Sequence, residues 1–270
     1  DTETTPVDIG SWISGLTYVT GNAAKKAASH AMKKLLNVAA QELGSEVQEL
    51  IALDKTIFVG HSPDRKISYG QAIAASIAKN KGDCIIGEGH FRTMKDEVSP
   101  PSLSTAKGRW TENYSNYAQV AEVEVDTETG MVRILKATTA HDCGFPVNPV
   151  LVEGQIDGQV SMGQGHILSE ELRVEDGCVI NPSFLEYKMP CALDMVETDY
   201  IDVITETYDK EHHYNAKEVG EGYVSETVAS VANAIYNAIG IRVKKTPVHP
   251  QNIIDALEKH EHGGKGDLTR

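Results

Sequence analysis

One stretch of alternating residues constrains the fold more than any other. Residues 118–125 (AQVAEVEV) alternate between apolar and polar side chains, 126–130 (DTETG) are turn-forming, and 131–137 (MVRILKA) extend again. Alternation with a period of two is typical of a half-buried strand. A short connection that contains glycine joins antiparallel neighbours. The sequence therefore predicts a β-hairpin whose second strand continues through 138–141.

Segments of helical periodicity surround this hairpin. Apolar spacing predicts one helix over 22–43, ended by Gly44, and another over 69–80, with Ser68 as its N-cap. The remaining predicted elements are helices over 46–53, 150–171, 226–239 and 250–259, and strands over 55–59, 67–68, 84–87 and 200–207. The expected fold is therefore of the α/β class, in a mixed α+β arrangement.

Charge and composition exclude several classes of partner. The 270 residues include 39 acidic and 25 basic ones, which gives a formal net charge of −14. Repulsion from phosphate argues against a nucleic acid or an anionic membrane surface as partner. No apolar run approaches the ~18 residues that span a bilayer. The four cysteines lie far apart, without CxxC or metal-ligand spacing, which favours inert thiols in a reducing, cytoplasmic compartment.

The predicted helix over 150–171 contains four glycines: Gly154, Gly158, Gly163 and Gly165. Because each glycine in an exposed helix costs roughly 1 kcal/mol relative to alanine, another group is expected to approach this backbone closely. Gln155 and Gln164 stand beside the glycines, and their amides could bind a heterocyclic ligand. Tight packing against another helix accounts equally well for the GxxxG spacing, so both interpretations stay open.

The segment KEVGEG at 217–222 contains candidate catalytic residues. Glu221 lies between Gly220 and Gly222, just before a predicted helix. The glycines allow a ligand to approach the backbone, and a carboxylate in a dry site is a candidate general base. The alternative is a solvated acidic residue that the helix dipole favours at this position. The Ser/Thr/Gly-rich run at 10–22 is either a set of donors for an anionic group or an ordinary capping loop.

Three stretches, taken in order, resemble the molybdenum hydroxylases, the xanthine oxidase and aldehyde oxidase family. DTETTP followed by GSWISGLTYVTGNAA is similar to the family's DTxxTP and GSxxSRxTxxxGNA. HDCGFPVNPVLVEGQIDGQVSMGQGHILSEEL is similar to DCGxxxNPxxxxGQIxGGxxQGxGxALxEEL, and AKEVGEG with ANAIYNAIGIRV is similar to KGVGE and ANAIxDAxGxR. The KEVGEG form is most similar to hydroxybenzoyl-CoA reductase and nicotinate dehydrogenase. The family's GGxFGG half is missing, so the resemblance covers the C-terminal half of the molybdopterin-binding subunit.

The resemblance implies roles for individual residues. Glu221 falls on the catalytic glutamate, the general base toward a water-derived hydroxide on molybdenum. The cofactor-binding positions are Ile13, Ser14, Gly15, Gln155, Lys217 and Gly220. No side chain is expected to ligate the metal, because molybdenum is held through the pterin. Gly15 stands where many members have arginine, and Glu218 where many have glycine.

The resemblance also implies cofactors and partners. The cofactor is molybdopterin with molybdenum, expected as the cytosine dinucleotide form, with iron–sulfur clusters and FAD on partner subunits. The partners are the other half of the molybdopterin-binding subunit, an iron–sulfur subunit and a flavin subunit. The implied reaction hydroxylates, or reductively dehydroxylates, a small aromatic or N-heterocyclic substrate. The alternative is a non-catalytic scaffold or paralogue that keeps the fold without the metal.

The domain organisation follows the same resemblance. One region is expected over 1–255, with a loop at about 91–113 as the candidate boundary between two subdomains. The Gly- and charge-rich end of the chain predicts a flexible tail over 256–270.

Overall fold

The computed structural model describes residues 14–79, 84–91, 114–202 and 216–261, together with Glu3, Thr5, Gly10, Gly82 and 267–268. The chain divides into two compact units. The larger unit comprises 1–15 and 113–270, and the smaller unit comprises 16–112. Apart from Phe91, the predicted loop at 91–113 lies outside the described residues. None of the described helices combines the length and apolar character that crossing a membrane requires.

The smaller unit packs two helices on a three-stranded antiparallel sheet. Its elements are α1 (Leu16–Leu43), β1 (Leu50–Leu53), β2 (Thr56–Val59), β3 (Ser62–Ser68) and α2 (Tyr69–Lys79). Leu35, Ala39, Ile57 and Ala72 form its buried core. Both predicted helices are confirmed, although α1 begins at Leu16 rather than at 22. Gly44 ends α1 with φ +60°, and the Ser68 Oγ accepts from the Gln71 amide at 3.2 Å, as expected of an N-cap.

Two predictions in the smaller unit are wrong. Residues 46–53 form a single 3₁₀ turn, Val47–Glu49, followed by β1, because pairing with β2 uses the backbone groups that a helix would need. Residues 84–87 are not a strand. The chain there runs close to α1 instead: a Cβ at Gly87 would lie 2.8 Å from the Ala31 Cβ, and one at Gly89 would lie 2.9 Å from the Lys26 Cβ.

The larger unit is built on the predicted hairpin, which is confirmed. Strand β4 (Asn116–Val125) pairs antiparallel with β5 (Val132–Asp142), and β8 (Glu197–Asp202) lies parallel to β5 on its other edge. The Asp126 carboxylate closes the hairpin loop by accepting from the Glu128 amide at 2.9 Å. Of the predicted strand over 200–207, the part beyond Asp202 lies outside the described residues.

Three helices contribute to the core beside this sheet. They are α3 (Pro149–Leu168), α4 (Gly222–Ile239) and α5 (Pro250–Glu261). Asn148 caps α3, since its Oδ1 accepts from the Leu151 amide at 3.2 Å. The buried core joins the sheet to all three helices through Ile134, Ala137, Ile156, Val160, Tyr223, Val231, Ile235 and Ile253. Two short strand pairs complete the unit: β6 (Val174–Glu175) with β7 (Cys178–Val179), and β9 (Arg242–Val243) with β10 (Asp267–Leu268).

Two predicted boundaries need correction. Helix α4 begins at Gly222 rather than at 226, because Tyr223 is fully buried and its turn is held by tertiary contacts. Helix α5 continues to Glu261, and Ala256 is only 3% exposed within the core. Ile253, Ala256 and Leu257 continue one apolar face. Residues 256–261 therefore belong to the folded unit and not to a flexible tail.

Gly130 in the β4–β5 loop is predicted to matter more than Gly177 in the β6–β7 turn. Both have positive φ, +73° and +78°, so alanine costs about 1–2 kcal/mol of backbone strain at either position. A Cβ at Gly130 would also lie 2.7 Å from the Pro250 carbonyl carbon, whereas one at Gly177 meets nothing within 4 Å. Overpacking adds about 1–3 kcal/mol, so Gly130→Ala should lower the free energy of unfolding by that much more than Gly177→Ala. Equal losses in denaturant titrations would contradict the packing role of Gly130.

Candidate active site

The two glycines beside Glu221 are required by neighbouring side chains of the same unit. A Cβ at Gly220 would lie 2.6 Å from the Ser14 Oγ, and a Cβ at Gly222 would lie 2.8 Å from the Tyr117 ring. Real Cβ atoms do not approach other atoms this closely, so neither position accepts a larger residue without rearrangement. The segment Gly220–Gly222 therefore packs against side chains of the same unit. This packing, which the sequence did not reveal, is a reason for glycine at both positions.

Glu221 occupies the N-cap position of α4 without capping it. Its side chain accepts no hydrogen bond from the first turn of the helix. Instead, the Ser14 Oγ donates to the Glu221 Oε2 at 3.2 Å. Ser14 itself has φ +48°, an uncommon value for serine. The Glu221 carboxylate is exposed, so one oxygen is oriented by serine and the charge remains accessible.

Gln155 lies beside the same segment. Its Oε1 would be 3.3 Å from a Cβ at Gly220, and its side chain is exposed on α3. Structure thus brings Ser14, Gln155, Gly220 and Glu221 together, four of the residues that the resemblance assigned to the site. Gly15 directly follows Ser14 in the chain, and Ile13 lies outside the described residues.

The four glycines of α3 divide into two pairs. A Cβ at Gly163 would lie 2.9 Å from the Val224 carbonyl oxygen of α4, and one at Gly165 would lie 2.9 Å from the Pro190 Cδ. Gly154 and Gly158 meet nothing within 4 Å among the described residues. Close packing therefore explains the second pair, with α4 at Gly163 and with non-helical segments at Gly165, while the first pair leaves the helix surface beside Gln155 open among the described residues.

Gln164 does not belong to this site. Nine residues separate it from Gln155, which at 100° per residue places the two amides on opposite sides of α3. The Gln164 Nε2 donates to the Asp194 carbonyl oxygen at 2.9 Å. Its role is to tie the 190–196 segment to α3.

Lys217 is engaged by a partner that the sequence did not indicate. Its Nζ pairs with the Asp142 Oδ2, and the two side chains are only 12% and 3% exposed. The Lys217 amide also donates to the Cys143 carbonyl oxygen at 2.8 Å. The ammonium of Lys217 therefore anchors the loop to Asp142 at the end of β5. The other oxygen of the same carboxylate, Oδ1, accepts from the Gly144 amide at 3.0 Å.

An aromatic cluster lies beneath the loop. The His141 ring stacks on Tyr117 with centroids 5.9 Å apart and lies 5.5 Å from Tyr223. The His141 Nε2 is 3.0 Å from the Glu218 carbonyl oxygen. Burial raises the pKa of both Tyr117 and Tyr223, with further contributions from the carboxylates of Glu226 and Glu218. Both phenols are therefore protonated at neutral pH and pack as neutral rings.

Sequence reasoning missed Gln159. This residue is fully buried, and its amide contacts backbone atoms on both sides of Glu221. Only its spacing, one helical turn after Gln155, was visible in the sequence, and that spacing does not indicate burial or a partner. No group of three or more His, Cys, Asp or Glu side chains in the described ranges is arranged to hold a metal ion.

Comparison with known proteins identifies the class. Residues 1–196 match the family model described as a molybdopterin cofactor-binding domain. The chain is 31% identical over 264 residues to the 6-hydroxypseudooxynicotine dehydrogenase complex subunit gamma of Paenarthrobacter nicotinovorans, covering 96% of this chain and 31% of that protein. It is 30% identical over 260 residues to a probable hypoxanthine oxidase of Escherichia coli K12, covering 96% of this chain and 25% of that protein.

Solved structures agree on the fold. Quinoline 2-oxidoreductase from Pseudomonas putida 86 superposes with a TM-score of 0.75 at 19% identity, covering 95% of this chain and 32% of that one. The Cu,Mo-CO dehydrogenase superposes with a TM-score of 0.72 at 21% identity, covering 97% and 31%. The chain therefore belongs to the molybdenum hydroxylase family and corresponds to the C-terminal half of its molybdopterin-binding subunit. It spans between a quarter and a third of the length of these relatives.

The buried Lys217–Asp142 pair yields a test of what holds the loop. Removing one partner leaves an uncompensated buried charge, which costs about 3–5 kcal/mol. Lys217→Met should lower the free energy of unfolding by that amount. The exposed pair Arg133–Glu124, at 72% and 61% exposure, is the control, and Arg133→Met should cost about 0–1 kcal/mol. Loss of similar size in both variants, measured by denaturant titration, would show that the Lys217 ammonium does not anchor the loop.

Proposed function

We propose that this chain is the molybdopterin-binding part of a molybdenum-dependent hydroxylase or dehydrogenase, with Glu221 as general base. One observation carries the proposal: an exposed carboxylate is oriented by Ser14 and lies beside an exposed glutamine on an open, glycine-lined helix face. A solvated surface carboxylate does not need an orienting serine in a strained backbone conformation.

The residues present fit a large planar cofactor. Gly154 and Gly158 leave room for close approach to α3, and the Gln155 amide provides both a donor and an acceptor at that surface. Gln155 and Ser14 would hold the group, with Gly15 and Ile13 as further contacts. The molybdenum–pterin group supplies the two-electron redox chemistry. The cytosine dinucleotide form belongs to the proposal as well.

Glu221 contributes proton transfer. The Ser14 Oγ donates to Oε2, and the remaining lone pairs of the carboxylate can accept a proton from the water-derived nucleophile. A carboxylate that is held by one hydrogen bond keeps its orientation and retains a free lone pair for this task. The Glu221 carboxyl group then releases the proton to solvent and is again a carboxylate. Lys217 acts at a distance, by fixing the loop through Asp142.

The proposed substrate is a small aromatic or N-heterocyclic compound that is hydroxylated, or reductively dehydroxylated. The names of two similar proteins support this class, since 6-hydroxypseudooxynicotine and hypoxanthine each contain a nitrogen heterocycle. An electron-poor ring carbon is the kind of atom that a base-activated oxygen nucleophile attacks.

The proposed partners are the remaining half of the molybdopterin-binding subunit, an iron–sulfur subunit and a flavin subunit, in the cytoplasm. Exposed large apolar side chains on the larger unit support the first of these. Phe184, Leu185 and Leu193 are 79%, 83% and 95% exposed, in the same segment as Leu172 and Met189. Several large apolar side chains that are exposed in one segment are what a partner surface would cover. The relatives are three to four times longer than this chain, which provides the missing cover.

Gln155→Ala should reduce cofactor retention without unfolding the chain. Loss of a hydrogen-bond partner costs roughly 1–3 kcal/mol, so the assembled protein should lose part of its molybdenum and pterin on purification. Gln164→Ala, on the opposite side of the same helix, is the control and should retain both. The measurement is metal and pterin content per chain. Equal retention in the two variants would remove Gln155 from the cofactor site.

Glu221→Gln should lower turnover by about 10²–10⁴-fold, because the amide keeps the size of the side chain and cannot accept the proton. The complex should still assemble and hold molybdenum. Glu218→Gln is the control: an amide oxygen at that position can still accept from the Ser115 Oγ, as Glu218 Oε1 does, and turnover should stay close to that of the wild type.

The comparison is made at equal molybdenum content. Full activity of Glu221→Gln with an inactive Glu218→Gln would show that the base is the other carboxylate. A native complex that contains no molybdenum would instead support the non-catalytic scaffold.

A further inference from the structure

We propose that Gln159 is a positioning residue that fixes Glu221 by clamping the backbone on both sides of it, an inference that rests on the proposed function. Gln159 lies in the middle of α3 and is fully buried. A fully buried glutamine is unusual unless its amide is fully hydrogen-bonded. The Gln159 amide meets that requirement with backbone atoms only.

The contacts of Gln159 bracket the catalytic segment. Its Nε2 donates to the Val219 carbonyl oxygen, and its Oε1 accepts from the Tyr223 amide at 2.9 Å. Val219 and Tyr223 each lie two residues from Glu221, one before it and one after it. The second Nε2 hydrogen goes to the Gln155 carbonyl oxygen at 3.0 Å, which fixes the rotamer of the clamp itself.

The segment between the two contacts needs such a restraint. Gly220 and Gly222 flank Glu221, and glycine loses more backbone freedom on folding than any other residue. A loop of sequence Gly-Glu-Gly would otherwise sample many conformations. Since α3 is rigid, a side chain rooted in it transfers that rigidity to both ends of the loop.

The clamp also links two functional elements. Gln155 is one turn before Gln159 on α3, and its side chain faces the open helix surface. The same amide that holds the Glu221 loop is bonded to the Gln155 backbone. The distance between the base and the cofactor-facing glutamine is therefore set by one side chain.

The test compares three variants of the full complex. Gln159→Met keeps the volume and removes all three hydrogen bonds, and Gln159→Asn keeps the amide but is one methylene too short to reach both sides. The control is Asn181→Leu. Asn181 is equally buried, its Nδ2 donates to the Glu171 carbonyl oxygen at 2.6 Å, and its Oδ1 accepts from the Arg173 amide at 2.9 Å. It thus brackets a different loop with the same pattern of bonds.

We expect the Tyr223 amide hydrogen to exchange faster in both Gln159 variants than in the wild type, and to be unchanged in Asn181→Leu. At equal molybdenum content, kcat should fall by about 10–10²-fold in Gln159→Met, with little change in KM, because substrate binding does not require the clamp. Asn181→Leu should lose stability and keep its kcat.

Wild-type kcat per molybdenum in Gln159→Met, or an equal loss of kcat in Asn181→Leu, would overturn the positioning role. The hydrogen-exchange measurement tests the restraint on the loop independently of catalysis. If the wild-type complex proves inactive, the proposed function fails, and unchanged exchange at Tyr223 in the Gln159 variants overturns the clamp as well. If Gln159→Met does not assemble, the same measurements are made on Gln159→Asn. Fast exchange of the Tyr223 amide hydrogen in the wild type would contradict the proposal without any variant.

Discussion

Helices α3 and α4 come together at Gly163, and the arrangement of the site depends on this close approach. A side chain at Gly163 would strike Thr227 and the Val224 carbonyl oxygen. Val224 lies in the first turn of α4, directly after the loop that carries Glu221. Gln159 and Gln155 lie one and two turns before Gly163 on α3. The packing distance between the two helices therefore determines whether a glutamine side chain can reach the loop at all. An added methyl group at this position would act on the site without touching it.

The sequence predicted those features whose cause is local. The β4–β5 hairpin follows from alternation over neighbouring residues, and its strands pair with each other. The glycines of α3 were also recognised as sites of close approach, but one explanation was sought for all four. The fold divides them, with Gly163 and Gly165 against other parts of the unit and Gly154 and Gly158 open. Which glycine faces α4 depends on where α4 lies, and that is a tertiary property. Residues 46–53 were misassigned for a related reason: the apolar run in β1 suits a helix until β2 supplies its partner.

The contacts that restrain the Glu221 loop could not be predicted from the sequence, for a different reason. Gln159 and Val219 are 60 residues apart in the chain, and Asp142 and Lys217 are 75 apart. A lone glutamine or aspartate has no periodicity from which such a partner can be read. The sequence singled out Glu221 by its flanking glycines and Gln155 by the glycines of its helix, and the family resemblance then implied their roles, whereas Gln159 lies inside the same quoted stretch and attracts no notice. A buried polar side chain is identified by its burial, and burial is known only once the fold is known.

The charge of each group that restrains the loop matters for the proposed base. Lys217 is close in sequence to Glu221, and a free ammonium there would neutralise the carboxylate that is proposed to accept a proton. Pairing with Asp142 compensates that ammonium and converts it into an anchor at the start of the loop. At Glu221 itself the restraints are neutral: a serine hydroxyl on one oxygen, and a glutamine amide on the backbone at either side. An ion pair thus holds the loop against the end of β5, and uncharged dipoles hold it where the carboxylate is proposed to act as an acceptor. This separation restrains the loop, while the hydrogen bond that the described residues give to the proposed base comes from a neutral hydroxyl.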